Sequence, residues 1–253
     1  MKLTIISKRE YPELKKLRAA FDTGKNGDMC VAVGGDGTFM RAAAEFDGPI
    51  LPIRTKEKGS VGYYSDIDIK DIDLVIRNLK NGAYDIEELS KGIEISYKNK
   101  KYVAVNEAVL NNVLQEVSFR IYEISDGRKG MIYPYVMSGD GILITSVVGS
   151  TAYNKSAGGP IILSPNVFCI TFLNVDGPYN NPIVVDSKMQ IEIEIVKYRG
   201  RLHFDGKEIG ILNKKDKFRV RLSDKSFNIV KIRNMTEDFG SKLERIITRR
   251  MEK

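Results

Sequence analysis

Apolar positions in the first third of the chain follow two patterns in turn. Short apolar runs predict buried strands at Leu3–Ser7, Met29–Val33 and Pro49–Ile53. Helices are predicted between and after these strands, at Pro12–Phe21, Thr38–Phe46 and Ile69–Leu79. Strands that alternate with helices indicate a parallel sheet with helices on its faces.

From Tyr84 onward the pattern is mostly that of strands. They are predicted at Ile93–Tyr97, Tyr102–Val109, Phe119–Ile124, Tyr133–Met137, Ile142–Val147, Val167–Val175, Met189–Val196, Arg201–Phe204, Phe218–Leu222 and Phe227–Ile232. The first two are predicted to form a hairpin around Asn99-Lys100. Several strands alternate with period two, which indicates one buried and one solvent-facing side.

These patterns predict two domains. Residues 1–88 should form an α/β domain with a Rossmann-like parallel sheet, and residues 89–234 a β-rich, sandwich-like domain. The pattern returns to helix at Thr236–Met251, and the local sequence does not decide which domain this helix joins.

Composition narrows the classes of function. The 253-residue chain carries a formal net charge of +7, which favours anionic ligands. The charge is dispersed and lacks interleaved aromatic residues, so we expect no nucleic-acid partner, and no apolar run is long enough to predict a membrane span. Cys30 and Cys169 lie in apolar runs, which is typical of core residues in the reducing cytoplasm. With His203 as the single histidine, histidine-based metal sites and Ser-His-Asp triads are almost excluded.

The first candidate site is the glycine-rich turn between a predicted strand and a predicted helix. Gly34, Gly35, Gly37 and Thr38 are candidate phosphate-binding residues, because bare glycine backbone and helix-start N–H groups attract phosphate. Asp36 in the same turn would repel an anion unless it binds a metal or takes a proton. Alternatively, Asp36 is the N-cap of the helix, and the local sequence leaves both roles open.

Two later segments add polar groups suited to a nucleotide. Asn106 can pair with an adenine edge and Glu107 can accept hydrogen bonds from ribose hydroxyls, although both also fit a polar strand end. The segment from Gly149 to Pro160 predicts a strand-to-helix turn with hydroxyl donors, in which Tyr153 could stack on a base. Together with the first turn, these segments indicate a large, polar, nucleotide-like ligand.

In combination, these segments resemble the NAD kinase family. Gly34–Thr38 matches its GGDG motif, Asn106-Glu107 its NE motif, and Gly149–Pro160 its GSTAY…GGP segment, with weaker similarity at Lys58–Tyr63 and Phe204–Gly206. The resemblance implies transfer of the γ-phosphoryl group of ATP, or phosphate from polyphosphate, to the 2′-hydroxyl of the adenosine ribose of NAD. It also implies that residues 235–253 join the α/β domain.

The resemblance implies roles for individual residues. Asp36 would be the general base, and the NAD site would comprise Asp36, Gly37, Arg41, Tyr63, Asn106, Glu107, Asp140, Val148, Thr151, Ala152, Tyr153, Ser156, Val175 and Lys207. A divalent metal, Mg²⁺, would bind with ATP, and no membrane partner is implied. The resemblance also implies a homodimer or homotetramer in which Asp140 contacts NAD, in many members from a neighbouring subunit.

The chain departs from the family pattern at several positions. Ser146–Val148 replaces Thr-Pro-Thr, Tyr63 stands where Phe is common, Asn181-Pro182 replaces Arg-Pro, and Lys207 replaces Gln. Two other functions are considered beside NAD kinase. One is a lipid kinase that shares the GGDG motif, and the other is a non-catalytic NAD-binding module in which Asp36 only caps a helix.

Overall fold

The structure, a computed structural model, describes residues 1–55, 63–125 and 127–251, and the chain divides into two compact units. The first unit comprises Met1–Glu88 with Phe227–Lys253, and the second comprises Leu89–Ser226. The second unit is therefore an insertion into the first. The chain rejoins the first unit at Phe227, earlier than the expected boundary at residue 235, because Ile229 pairs with Ile50 in the parallel sheet of that unit.

The described helices and strands have the following bounds. The helices are α1 Pro12–Ala20, α2 Asp36–Glu45, α3 Ile72–Lys80, α4 Tyr153–Ser156 and α5 Phe239–Met251. The strands are β1 Lys2–Ser7, β2 Asp22–Thr23, β3 Met29–Val33, β4 Ile50–Arg54, β5 Ile67–Asp68, β6 Tyr84–Tyr97, β7 Lys100–Ala104, β8 Glu107–Asn112, β9 Val117–Ser125, β10 Arg128–Met131, β11 Met137–Gly139, β12 Gly141–Thr145, β13 Val167–Leu173, β14 Ile183–Asp186, β15 Gln190–Lys197, β16 Gly200–Phe204, β17 Lys207–Leu212 and β18 Lys217–Ile232.

The first unit is built on a parallel sheet. Its order is β2-β1-β3-β4, with β5 and the C-terminal part of β18 also pairing with β4. Every residue of β3 is buried, as expected for a strand of a parallel sheet that is covered on both faces. Leu14 of α1 and Val75 of α3 belong to the same apolar cluster as the strand residues. The predicted α/β alternation is confirmed, and α5 lies in this unit.

The second unit is a sandwich of antiparallel strands. One sheet has the order β14-β13-β12-β8-β16-β17, and the other runs β10-β9-β15 to the N-terminal part of β18. Leu110 and Ile170 from the first sheet and Ile121 and Ile193 from the second share one buried apolar cluster. The alternation at Gln190–Ile195 marks a strand with its apolar side in this core, as the sequence predicts.

Several predicted strand limits are wrong. The predicted strand Tyr102–Val109 is broken between β7 and β8, and the predicted strand Tyr133–Met137 forms a strand only from Met137. The turn between β6 and β7 is at Lys98-Asn99, where both residues have positive φ. Phe218–Leu222 and Phe227–Ile232 form the single strand β18. No helix in the described part of the chain is long and apolar enough to cross a membrane.

Candidate active site

The GGDG turn joins β3 to α2 in the first unit. Gly34 has φ +154°, and a Cβ there would lie 2.2 Å from the Thr38 Oγ1, so the position requires glycine. Gly37 is exposed, and a Cβ added to it would meet no atom within 4 Å. The turn is therefore fixed by a close contact on one side and is open to a ligand on the other.

Asp36 lies in the first turn of α2 rather than at its cap. Gly35 is the N-cap residue, so the hypothesis that Asp36 caps this helix is wrong. The Asp36 Oδ1 accepts a hydrogen bond from the Tyr64 backbone N–H at 3.3 Å. A carboxylate at this end of a helix is stabilised by the helix dipole. Asp36 is half-buried, so its side chain is partly accessible to solvent.

Aromatic residues surround this turn. The buried Tyr64 ring stacks on Phe39 of α2 with a centroid distance of 4.7 Å, and Tyr63 packs edge-on against Tyr64 at 5.1 Å. Burial, together with the Asp36 charge, raises the pKa of Tyr63. Arg41, exposed on α2, donates to the Ser7 carbonyl at 2.8 Å. Residues Lys58–Gly62, which carry a weaker similarity to the family, lie outside the described residues.

The NE motif in the second unit is held by a carboxylate that the sequence analysis did not select. The backbone N–H groups of Val105, Asn106 and Glu107 donate to the Asp205 carboxylate at 2.6, 2.9 and 3.2 Å. Asp205 and Gly206 form the tight turn between β16 and β17, where both have positive φ. This clamp explains why the predicted strand breaks at the motif. The sequence signal was the Asp-Gly pair, the usual signature of such a turn.

Glu107 combines burial with an unsatisfied oxygen. Burial, and to a lesser degree the Asp205 charge, raises its pKa to about 7. Its Oε2 atom is buried and has no hydrogen-bond partner among the described residues. Because buried polar atoms normally have a partner, this oxygen is suited to accept a hydrogen bond from a ligand hydroxyl.

The GSTAY segment packs directly on the NE motif. A Cβ at Gly149 would lie 2.3 Å from the Asn106 carbonyl oxygen, so only glycine permits this approach. The Ser146 hydroxyl donates to the Val105 carbonyl at 2.6 Å, and its N–H donates to the Asn106 carbonyl at 2.9 Å. Ser146, one of the departures from the family pattern, therefore fixes both segments in one place.

The residues after Gly149 present hydroxyl and aromatic groups to solvent. Asn154 is buried, accepts from the Thr171 hydroxyl at 2.6 Å and donates to the Pro160 carbonyl at 2.8 Å, which anchors α4. Asn154 faces the interior of the unit, whereas Ala152, Tyr153 and Ser156 are exposed and Thr151 is half-buried. Val148 is fully buried, so it is not accessible to a ligand in this structure.

Asp140 lies at the other end of the strands that carry Glu107. Strand β12 pairs with β8 so that Thr145 lies opposite Glu107 and Gly141 lies opposite Asn111. Asp140 precedes Gly141, so it lies about five strand residues, or roughly 15 Å, from the position of Glu107. Asp140 accepts from the side-chain amides of Asn112 at 3.1 Å and Asn174 at 2.6 Å. Within one chain the structure does not bring Asp140 to the NE motif. The Val175 side chain is buried, and Lys207 is exposed next to the Asp205-Gly206 turn.

Other reactive groups in the described part of the chain have structural environments. Burial raises the pKa of Cys30 to about 12, which keeps its thiol protonated. His203 shares a 2.6 Å hydrogen bond with the Asn111 side chain. Among the described residues, no group of three or more His, Cys, Asp or Glu side chains is arranged to hold a metal ion.

The chain is similar to known proteins over most of its length. The model of the ATP-NAD kinase N-terminal domain matches residues 4–84, and that of the ATP-NAD kinase C-terminal domain matches residues 126–232. An NAD kinase from Picrophilus torridus is 32% identical over 224 residues, which cover 86% of this chain and 77% of that protein. The chain belongs to the NAD kinase family.

Other members of the family align over similar lengths. An NAD kinase from Sulfurimonas denitrificans is 28% identical over 210 residues, 80% of this chain and 72% of that protein. The crystal structure of an NAD kinase from Archaeoglobus fulgidus in complex with ATP has a TM-score of 0.73 at 18% identity and covers 97% of this chain and 99% of its own. Yeast NADH kinase complexed with NADH has a TM-score of 0.77 at 19% identity, with coverage of 98% and 86%. The fold is that of an NAD kinase.

Proposed function

We propose that this chain transfers the γ-phosphoryl group of ATP to the 2′-hydroxyl of the adenosine ribose of NAD, which yields NADP. Membership of the NAD kinase family supports the reaction. The observation that carries it most directly is the position of Asp36 in the first turn of a helix whose start is open at Gly37. Such a helix start attracts phosphate, and a carboxylate beside it is placed to take a proton from an acceptor hydroxyl.

The acceptor side of the reaction is assigned to the NE motif and Asp36. Asn106 pairs with the adenine, and ionised Glu107 accepts a hydrogen bond from a ribose hydroxyl at its buried Oε2. Asp36 takes the proton of the 2′-hydroxyl as that oxygen forms its bond to the γ-phosphorus. The bond between this phosphorus and the bridging oxygen of ATP breaks, and ADP leaves with the electron pair.

The donor enters as ATP with a divalent metal ion, and Mg²⁺ fits this role. Since no three-ligand cluster occurs among the described residues, the ion is expected to be held largely by the phosphates of ATP. When bound, it neutralises phosphate charge. The backbone N–H groups of the turn Gly34–Thr38 would bind the phosphates. The exposed Arg41 and Lys207 add positive charge that attracts anionic substrates.

The other candidate residues support an extended NAD surface and a shared site. Thr151, Ala152, Tyr153 and Ser156 lie on the surface beside the NE motif, where Tyr153 could stack on a base. Since Asp140 is remote from Glu107 in its own chain, it is suited to contact the NAD of a second subunit in a homodimer or homotetramer. The free, buried Cys30 and Cys169 support residence in the reducing cytoplasm.

The decisive experiment is a direct assay. The purified chain is incubated with NAD, ATP and Mg²⁺, and NADP is measured with an NADP-specific dehydrogenase; parallel reactions replace ATP with polyphosphate or NAD with diacylglycerol. We expect NADP to form with ATP. Binding of NAD without NADP formation would instead support a non-catalytic module, and phosphorylation of the lipid alone would support a lipid kinase.

A further inference from the structure

The backbone group that donates to Asp36 belongs to a short segment of the first unit, Tyr63–Ile67. Tyr64 supplies the N–H at 3.3 Å from the Asp36 Oδ1, and its ring stacks on Phe39, three residues further along α2. One residue of the segment therefore contacts α2 at two points. If the segment moved, the hydrogen bond to Asp36 would move with it.

The same segment is held from its other side by a buried ion cluster. The Asp66 carboxylate, with 4% of its side chain exposed, pairs with the Lys231 ammonium at 2.5 Å and with the Lys242 ammonium at 2.6 Å. Lys231 lies on β18 and Lys242 on α5, so the sheet and the helix α5 both form an ion pair with Asp66. Burial alone would raise the pKa of Asp66, but the two lysines outweigh it and hold the pKa below its usual range.

Lys242 is placed for this contact by the start of its helix. The Asp238 side chain accepts hydrogen bonds from the Ser241 N–H at 3.0 Å and the Ser241 hydroxyl at 2.6 Å, and the Asp238 carbonyl accepts from the Lys242 N–H at 3.0 Å. These bonds fix the first turn of α5. The Lys242 ammonium is also 5.9 Å from the centroid of the Tyr63 ring, so it contacts two residues of the segment.

A second side chain of α5 contacts the segment at Ser65, the residue before Asp66. The Arg245 guanidinium donates to the Ser65 carbonyl at 3.2 Å and pairs with Glu237 at 2.8 Å. The Ser65 hydroxyl in turn donates to the Pro52 carbonyl at 2.8 Å. The segment is thus tied to α5, β4 and β18 at Ser65 and Asp66, while Tyr64 carries the bond to Asp36.

From this chain of contacts we propose that Lys242 is a positioning residue for phosphoryl transfer. Its ion pair with Asp66 fixes the Tyr63–Ile67 segment, so that the Tyr64 N–H holds the Asp36 carboxylate at the angle required by the acceptor hydroxyl. The inference rests on the proposed role of Asp36 as general base. It assigns the last helix a part in the reaction although Lys242 touches neither Asp36 nor the GGDG turn in these contacts.

The test compares Lys242→Met with wild type. The substitution keeps an unbranched apolar stem and leaves Asp66 neutralised by Lys231, so no buried charge is left unpaired and the fold should persist. We expect kcat to fall roughly tenfold or more, because a 1 Å misplacement can cost about 100-fold, while KM for NAD stays nearly constant.

Three controls separate this role from a general effect on folding. Lys242→Arg should retain most of the wild-type kcat. Lys16→Met removes an ion pair of the same length, with Asp73, elsewhere in the first unit and should change neither kcat nor KM for NAD. Circular dichroism reports folding, and if Lys242→Met does not fold, Lys242→Gln, which keeps a donor for Asp66, is measured in its place.

The outcomes are distinct. A wild-type kcat in a folded Lys242→Met or Lys242→Gln protein would overturn the positioning role. Asp36→Asn is measured in the same series. If Asp36→Asn is inactive while the Lys242 variants behave as wild type, only the positioning role fails; if Asp36→Asn is fully active, the proposed role of Asp36 fails instead.

Discussion

At the scale of single residues, the proposed site contains two carboxylates in different surroundings. Asp36 sits at a helix start and accepts a hydrogen bond from the Tyr64 backbone N–H. Glu107 is buried near Asp205, which disfavours its charged form and raises its pKa to about 7. The first is suited to act as a base, and the second can change protonation state near neutral pH.

Replacing Asp36 tests the role of base directly. Asp36→Asn keeps the size and hydrogen-bonding reach of the side chain but cannot accept the proton, so kcat should fall by about 10²–10⁴. The affinity for NAD, measured by calorimetry, should stay close to the wild-type value. Retention of more than a few per cent of the wild-type rate would contradict the assignment.

The pH dependence of NAD use should follow Glu107. As the pH falls through about 7, Glu107 takes a proton and loses its charged acceptor, so kcat/KM for NAD should decrease below neutral pH. The decrease should be absent in Glu107→Gln. In Asp205→Asn it should move to lower pH, because the neighbouring charge that helps to raise the pKa is gone.

Glu107→Gln should also change the stability of the fold. Ionisation of Glu107 favours the use of NAD but disfavours the folded state. A carboxyl group whose pKa is raised on folding binds its proton more tightly in the folded state, so its stabilising contribution is present at low pH and is lost as the pH rises from about 4.5 to about 7. Glu107→Gln should therefore raise Tm at about pH 8 by up to about 6–12 °C, because a pKa raised from 4.5 to about 7 is worth about 3 kcal/mol and each kcal/mol moves Tm by about 2–4 °C in a chain of this size. At about pH 4, where Glu107 is protonated, calorimetry should find little difference.

At the scale of elements, two glycines of the β3–α2 turn have different roles: Gly34 is required by the backbone, and Gly37 leaves space for a ligand. Gly34→Ala should lower the free energy of unfolding by at least about 2 kcal/mol. The new Cβ would clash with the Thr38 side chain, and alanine is strained at the positive φ of this position. Gly37→Ala enters open space in a helix and should fold at least as stably as wild type, yet KM for ATP should rise because the methyl group lies where phosphate approaches. Denaturant unfolding and kinetics measure both. Equal loss of stability in the two variants would contradict this distinction.

How much the sequence predicts depends on whether the signal is local. The alternation in the first unit is predictable because each apolar run and each helix limit, such as Pro12, is local. The break at Asn106 is not, since its cause is Asp205, almost a hundred residues away. The two halves of β18 were predicted as separate strands because Ser223–Ser226 is polar, whereas the structure shows pairing on both sides of it.

The candidate site shows the same division. The glycine turn and the exposure of Gly37 follow from the motif itself. The clamp by Asp205 and the pKa of Glu107 depend on residues brought together by the sandwich, and no local pattern predicts their distances. The local sequence also allows Asp36 as the helix cap, but the cap is Gly35, whose carbonyl accepts hydrogen bonds from the Thr38 and Phe39 N–H groups.

At the scale of the whole molecule, a shared site predicts that two inactive chains can complement each other. Asp36→Asn and Asp140→Ala chains are mixed and allowed to exchange subunits. Each mixed dimer then contains one site with both residues intact, so equal amounts should recover about a quarter of wild-type activity. Light scattering checks the assembly. A monomer, or no recovery after verified exchange, would contradict the shared site while leaving the kinase reaction in place.

The insertion of the second unit into the first sets the order in which the molecule can be completed during synthesis. A ribosome that has finished residue 88 has made the GGDG turn, but not the strand Phe227–Ile232 or the helix Phe239–Met251 of the same unit. Lys231 and Lys242, which neutralise Asp66, are synthesised only after the whole second unit. The first unit is therefore completed only after the second unit has been synthesised, and Asp66 acquires its two lysine partners one after the other, Lys231 with the strand and Lys242 with the helix.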